Sequence, residues 1–204
     1  MPRTKDDYVF FWRTTDRAGW AAQWYKHAPF TATVELPAPY GECTFAFPTA
    51  EHWMMAQKAL LFGDLDAFWL VVGVEDPIPG PAGSDDARMR TYVDRQSPPG
   101  PKAAKALGRA VRGFDEQVWE RERERVVREG NLEKFRQNAR EREMLLGTGE
   151  RMIVEASPRD RIWGVGFKEE NAMRNRERWG LNLLGKALME VRAIMRAEAE
   201  AEEA

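Results

Sequence analysis

The sequence predicts a helix-rich α+β chain, and three observations predict it. Short β-prone runs bounded by Gly and Pro are confined to residues 8–47. The second half carries apolar residues at helical spacing. The 204 residues, 43% of them hydrophobic, supply one sizeable core. The expected architecture is a small N-terminal β-sheet with several packed helices, forming one domain over residues 1–196 with an acidic tail at 197–204.

The elements follow in order. Tyr8–Trp12 and Ala32–Leu36 read as strands, with Cys43–Phe47 as a third. Glu51–Leu61 reads as a helix capped by Thr49 and stopped by Gly63. Asp64-Leu65-Asp66 opens a second helix through Val72. Residues 76–101 are rich in Pro and Gly and predict a long functional or mobile loop, with one short helix near 85–93. Helices are expected at 103–111, 115–129, 131–137 and 139–146, the last ended by Gly147 and Gly149. Ser157-Pro158 reads as a cap and first helical position. In the last helix, 182–195, Leu184, Leu188, Val191 and Met195 form one stripe, and the acidic tail extends it as a solvated end.

Composition narrows the function classes. Lys and Arg nearly balance Asp and Glu, giving a net charge of -2, so an extended nucleic-acid track is not expected. A single cysteine, Cys43, excludes an internal disulfide, and two histidines argue against a histidine metal site. The N-terminus has no apolar signal core and no run is long enough to span a bilayer, so a cytoplasmic protein with no membrane partner is expected. No cofactor or metal is expected. The eight tryptophans are the compositional outlier: most serve a core, and some suit the wall of a pocket that stacks bases or sugars.

The sharpest local signal lies in the helix after Thr49. Glu51 and Lys58 are seven residues apart, close to two turns, which puts them on one face about 10 Å apart along the axis. Met54 and Met55 lie between them. Charges on an apolar face are costly unless paired or used. Gln57 adds an amide suited to a hydroxyl or base edge. A second constellation surrounds Asp160 and Trp163, where Gly164 and Gly166 allow close approach to the backbone. Gly180 to Ala187 matches a phosphate loop only in spacing: Ala187 stands where magnesium needs a hydroxyl, and Leu183-Leu184 belong in a core. Asn182 there reads as a helix cap, and Lys186 lies one turn on. The alternating run Glu120–Arg125 reads as a solvated helix face. Arg109, beside Gly108, stays ambiguous.

These pieces occur together in one family. Pro48-Thr49-Ala50-Glu51-His52 with Met54-Met55-Ala56-Gln57-Lys58-Ala59 resembles the first signature of the NADAR family. Leu107-Gly108-Arg109, Phe114-Asp115 and Trp119 resemble its middle. Lys134-Phe135, Leu145-Leu146 and Thr148-Gly149 follow. Val154 to Pro158, Asp160 and Ile162-Trp163-Gly164 with Gly166 are similar to the next signature, and Asn182 to Arg192 to the last. The resemblance covers residues 8–195. It implies a compact α+β domain and an N-glycosidase that cuts a ribose C1–N bond, without a cofactor. It implies ADP-ribose on guanine, in nucleic acid or nucleotides, as the substrate. The alternatives are phosphoribosylamino intermediates of riboflavin synthesis, or a non-catalytic ADP-ribose-binding module. Glu51, Trp119 and Trp163 match positions regarded as catalytic or essential, and Lys58 and Asp160 accompany them. Gln57, Arg109, Gly164, Gly166, Asn182 and Lys186 are the expected ligand contacts. The chain departs from the pattern in its longer 76–101 stretch and at Val165, where some members carry an acid.

Overall fold

The computed structural model describes residues 4–78 and 90–202. In order the elements are β1 (Tyr8–Phe11), β2 (Phe30–Leu36), β3 (Gly41–Phe47), α1 (Ala50–Leu61), α2 (Leu65–Val72), β4 (Arg90–Thr91), α3 (Pro101–Arg109), α4 (Glu116–Gln137), α5 (Ala139–Leu146), β5 (Met152–Glu155), α6 (Glu169–Ala172) and α7 (Leu183–Glu202). The class is α+β and helix-rich, as expected. The chain divides into a first unit, residues up to Ala28 and from Val127 onward, and a second unit, Pro29–Val126. No helix among the described residues is long and apolar enough to cross a membrane.

In the second unit β2 and β3 pair antiparallel from Phe30↔Phe47 to Leu36↔Gly41. The alternation of the two strands puts Phe30, Val34 and Leu36 with Cys43, Phe45 and Phe47 in the core. In this unit α1 packs on both α2 and α3. Asp64 caps α2 by accepting from the Ala67 amide at 3.2 Å, and it also receives the Arg112 guanidinium at 2.6 Å. The helix expected from Asp64-Leu65-Asp66 through Val72 is α2.

In the first unit β1 and β5 pair in parallel, Tyr8 opposite Met152. Tyr8, Val154 and Val165 form a small apolar cluster, with Phe10, Phe167, Met173 and Trp179 packed on it. Leu184, Leu188, Val191 and Met195 of α7 are buried, matching the predicted stripe. Asn182 sits at the head of α7 with φ of +51°, and its side chain turns away from the helix. Its Oδ1 accepts from the Glu155 amide at 3.0 Å and its Nδ2 donates to the Ile153 carbonyl at 2.9 Å, fixing α7 to β5.

Four expectations need correction. The strands form two sheets among the described residues, β1-β5 and β2-β3-β4, and are not confined to the N-terminal region, because β5, unforeseen in the sequence, supplies the partner of β1. The break expected at Gly130 does not occur, since α4 runs through it. A mid-helix glycine costs about 1 kcal/mol, and buried Val126, Val127, Asn131 and Phe135 outweigh it. No helix opens at Ser157-Pro158; the segment is a turn. The described end of the 76–101 stretch is ordered: β4 joins β3, a 3₁₀ turn covers Val93–Arg95, and Tyr92 stacks on Phe45 at 5.2 Å. Gln96 bonds the backbone of Ala46 and Val72. Most of the helix expected at 85–93 lies outside the described residues.

Candidate active site

α1 builds the site in the second unit. Thr49 occupies the N-cap, but its hydroxyl bonds the His52 ring at 2.8 Å instead of a helix amide. The other His52 nitrogen meets the Pro99 carbonyl at 2.6 Å, so this buried histidine fastens the helix start to the proline-rich segment. Trp53, the next residue, adds a second anchor by donating to the Val126 carbonyl at 2.9 Å. Two adjacent side chains thus hold the start of the helix.

The face carrying Glu51, Met55 and Lys58 turns toward α3. Gly108 makes this approach possible: a Cβ there would lie 1.9 Å from the Met55 sulfur. Ala104, one turn earlier, is also fully buried. The two small residues bring α3 close, and two polar contacts follow. Lys105 places its ammonium 3.8 Å from Glu51 Oε1, whose residue is only 4% exposed. Lys58 donates to the Gly108 carbonyl at 2.8 Å. A carboxylate this buried needs a cation nearby to stay ionised, and Lys105 is one.

Lys58 is held in an aromatic setting. Its ammonium lies 4.0 Å from the centre of the Phe114 ring and 5.5 Å from that of Trp119. Phe114 in turn leans edge-on against Phe62 at 5.3 Å. Burial pushes the Lys58 pKa down, and repulsion from Arg109 pushes it the same way. The result is a lysine less basic than an exposed one, about two turns along the same helix face from the Glu51 carboxylate. Such a pair offers a base or charge stabiliser together with a nucleophilic amine. Gln57 is partly buried on α1, and Arg109 is exposed at the end of α3.

The remaining expected residues lie in the first unit. Asp160 Oδ1 accepts from the amides of Ile162 at 2.9 Å and Trp163 at 2.8 Å, so this carboxylate shapes the turn that presents Trp163, itself partly exposed. The closeness that Gly164 and Gly166 permit is used by the chain itself. A Cβ on Gly164 would meet the Glu155 carbonyl at 2.8 Å, and one on Gly166 would meet the Arg161 side chain at 2.7 Å. The Asn182 amide is committed to β5, and Lys186 is exposed on α7. The structure thus brings Glu51, Lys58 and Trp119 into one neighbourhood, and Asp160, Trp163, Gly164 and Asn182 into another.

Lys105 is a member of the first neighbourhood that the sequence alone does not single out, and Phe114 enters there only as part of the middle signature, with no role attached. The signal for Lys105 is the Ala104/Gly108 pair at i, i+4, which marks the face of α3 that packs closely. Phe114 carries a weaker one, a large ring directly after Gly113.

Comparison with known proteins adds the family context. A family model described as the NADAR domain matches residues 10–196. The chain is 38% identical over 154 residues to an N-glycosidase of Acanthamoeba polyphaga mimivirus, covering 74% of this chain and 76% of that protein. It is 34% identical over 131 residues to an N-glycosidase of Nostoc punctiforme, covering 64% and 77%. A chloroplastic riboflavin biosynthesis protein of Zea mays, PYRR, is 30% identical over 190 residues, which are 91% of this chain and 25% of that protein. Among solved structures, the NMR structure of the E. coli protein YbiA superposes with a TM-score of 0.59 at 23% identity, covering 97% of this chain and 89% of that one. This last likeness bears on the fold alone.

Proposed function

The chain belongs to the NADAR domain family, and on that premise we propose that it is an N-glycosidase that hydrolyses the ribose C1–N bond of an ADP-ribose derivative, with ADP-ribosylated guanine in DNA or nucleotides as its substrate. The names of the mimiviral and cyanobacterial relatives support the bond class. The observation that carries the reading is Glu51: a carboxylate 4% exposed, facing the Lys105 ammonium on the α3 side of α1.

Loss of nitrogen from C1 leaves positive charge on the ribose ring. Glu51 below that carbon stabilises the charge and orients the attacking water. The water oxygen bonds to C1 as the C1–N bond breaks, and Glu51 takes one water proton and passes it to the departing nitrogen, which leaves as the neutral amine. Lys58, made less basic by burial, meets the aldehyde of the opened sugar. Trp119 forms an aromatic wall beside it. In the first unit Asp160 acts as a positioning residue for Trp163 through its bonds to the Ile162 and Trp163 amides.

A second reading, an N-glycosidase for phosphoribosylamino intermediates, is favoured by the maize relative, of which this chain spans a quarter. One substrate panel separates the readings. The protein is incubated with guanine-ADP-ribosylated DNA and with the phosphoribosylamino pyrimidine, and release of ADP-ribose or ribose phosphate is measured. Release from the DNA alone is expected. Glu51→Gln, checked for folding by circular dichroism, is expected to lose at least about a hundredfold in rate, the scale of general-base catalysis. Cleavage of the pyrimidine alone replaces the substrate assignment. ADP-ribose binding without any turnover reduces the protein to a binding module.

A further inference from the structure

A second charged feature lies in the first unit, on a segment to which no catalytic role is assigned above. The 3₁₀ segment Met173–Arg178 lines an open groove of about 600 Å³ with Arg174, Arg176 and Arg178, together with Met173, Asn175 and Glu177. Arg161 joins it by donating to the Arg178 carbonyl at 2.8 Å. Such a groove is unexpected in a chain of net charge -2.

The setting of these arginines differs from that of others in the chain. Arg112, Arg128, Arg136 and Arg196 each pair with a carboxylate. Arg161, Arg174, Arg176 and Arg178 have no ion pair among the described residues, and all four are exposed. They are nevertheless held in place. Arg176 lies over the Tyr8 ring at 5.7 Å, and Arg161 and Arg178 share the Phe167 ring at 5.9 and 5.8 Å. Arg174 bonds the Asn171 side chain. The rings are themselves fixed: Tyr8 and Phe10 meet Trp179 edge-on, and the Trp179 indole donates to the Ala172 carbonyl at 2.7 Å. A guanidinium resting on a ring keeps its N–H edge free and loses less freedom when it binds an oxygen anion. Glu177 is the one acid in the lining, so the groove stays positive.

We propose that the arginine groove of Met173–Arg178, extended by Arg161, binds the phosphodiester backbone of a single-stranded polynucleotide. Phosphate oxygens are the anions that planar guanidinium groups fit best, in pairs of parallel hydrogen bonds. Several guanidinium groups along an open groove suit a run of phosphates better than one. Binding of this kind positions a strand without reading its sequence. Only its consequence for turnover rests on the N-glycosidase reading: the groove makes a nucleotide within a strand, not a free one, the favoured substrate.

The test uses the full chain and a short fluorescein-labelled single-stranded DNA, with anisotropy followed over a KCl series. Wild-type binding is expected to weaken steeply with salt. The triple variant Arg174→Gln/Arg176→Gln/Arg178→Gln is expected to lose about 2 from the slope of log K against log salt, roughly 0.7 for each lost phosphate contact. Its turnover of a free ADP-ribosylated guanine nucleotide should equal that of wild type. An unchanged slope overturns the proposal. So does displacement of the strand by free ADP-ribose at equal nucleotide concentration, which would make the groove a diphosphate site. Should the triple variant misfold, phenylglyoxal labelling of wild type decides the question. The strand must protect Arg174, Arg176 and Arg178 against modification, and absence of protection refutes the assignment. Arginine-dependent binding by a protein that cleaves no substrate would retain the groove and reject the N-glycosidase reading.

Discussion

At the scale of single residues, the site depends on how two charges are kept near α1 without full access to water. Glu51 has Lys105 as a cation, and Lys58 has one carbonyl and two aromatic rings. The second arrangement gives a signed prediction. Arg109 lowers the Lys58 pKa by like-charge repulsion, adding to the larger effect of burial. Arg109→Gln removes the repulsion, so the pKa of Lys58 must rise toward that of an exposed lysine. Acylation of Lys58, followed by mass spectrometry over a pH series, is expected to shift its midpoint upward in the variant. A midpoint that stays put or falls rules out Arg109 as a contributor. Glu51 and Lys58 are legible in the sequence because two charges two turns apart in an apolar run violate the helical pattern. Lys105 is not, because its meeting with α1 depends on how closely α3 approaches, and that distance is set by Gly108 against Met55.

At the scale of elements, the seating of α7 on β5 is a tightly constrained junction. A Cβ on Gly185 would lie 2.2 Å from the Ile153 carbonyl and 2.4 Å from the Asn182 amide nitrogen. Neither neighbour is the free end of a flexible side chain, since the Asn182 amide is bonded on both sides. Gly185→Ala is therefore expected to destabilise the fold by about 1–3 kcal/mol, the usual cost of overpacking, measured as a lower urea midpoint with an unchanged slope. A midpoint equal to wild type would mean that α7 slides freely on the strand. The same junction shows why part of the fold is hidden in the sequence. Met152-Ile153-Val154-Glu155 is a four-residue run, too short to distinguish a buried strand from a helix turn by periodicity. It becomes a strand because Tyr8–Phe11 lies alongside it. Longer or better-punctuated elements are legible. α5 matches its predicted bounds because Gly147 and Gly149 end it, and α2 follows a capping Asp64. Local propensity splits α4 at Gly130 where the fold does not, because it takes no account of the burial of Val127, Asn131 and Phe135, a tertiary effect.

At the scale of the whole molecule, the dependence of stability on pH should have two limbs of different origin. Asp64 governs the acid limb. Its carboxylate, bonded by Arg112 and capping α2, has its pKa lowered from 3.8 to about 2. The unfolded chain therefore takes the proton first as pH falls. The contribution is complete above about pH 4 and is lost down to about pH 2. Lys134 governs the alkaline limb. It is fully buried, donates to the Trp20 carbonyl at 2.7 Å and lies 5.0 Å from the Phe135 ring. Burial lowers its pKa from 10.5 to about 7, against a smaller upward pull from Glu141. Between those values the unfolded chain holds a proton that the folded chain lacks, so stability rises with pH across the interval and is flat below it. Urea unfolding at a series of pH values should show both limbs. Asp64→Asn should flatten the acid one and leave the other. Lys134→Met should flatten the alkaline one whatever its effect on absolute stability, because methionine has no proton to release. A slope above pH 7 that survives in Lys134→Met would assign the alkaline limb to another group and leave the buried amine charged in the fold.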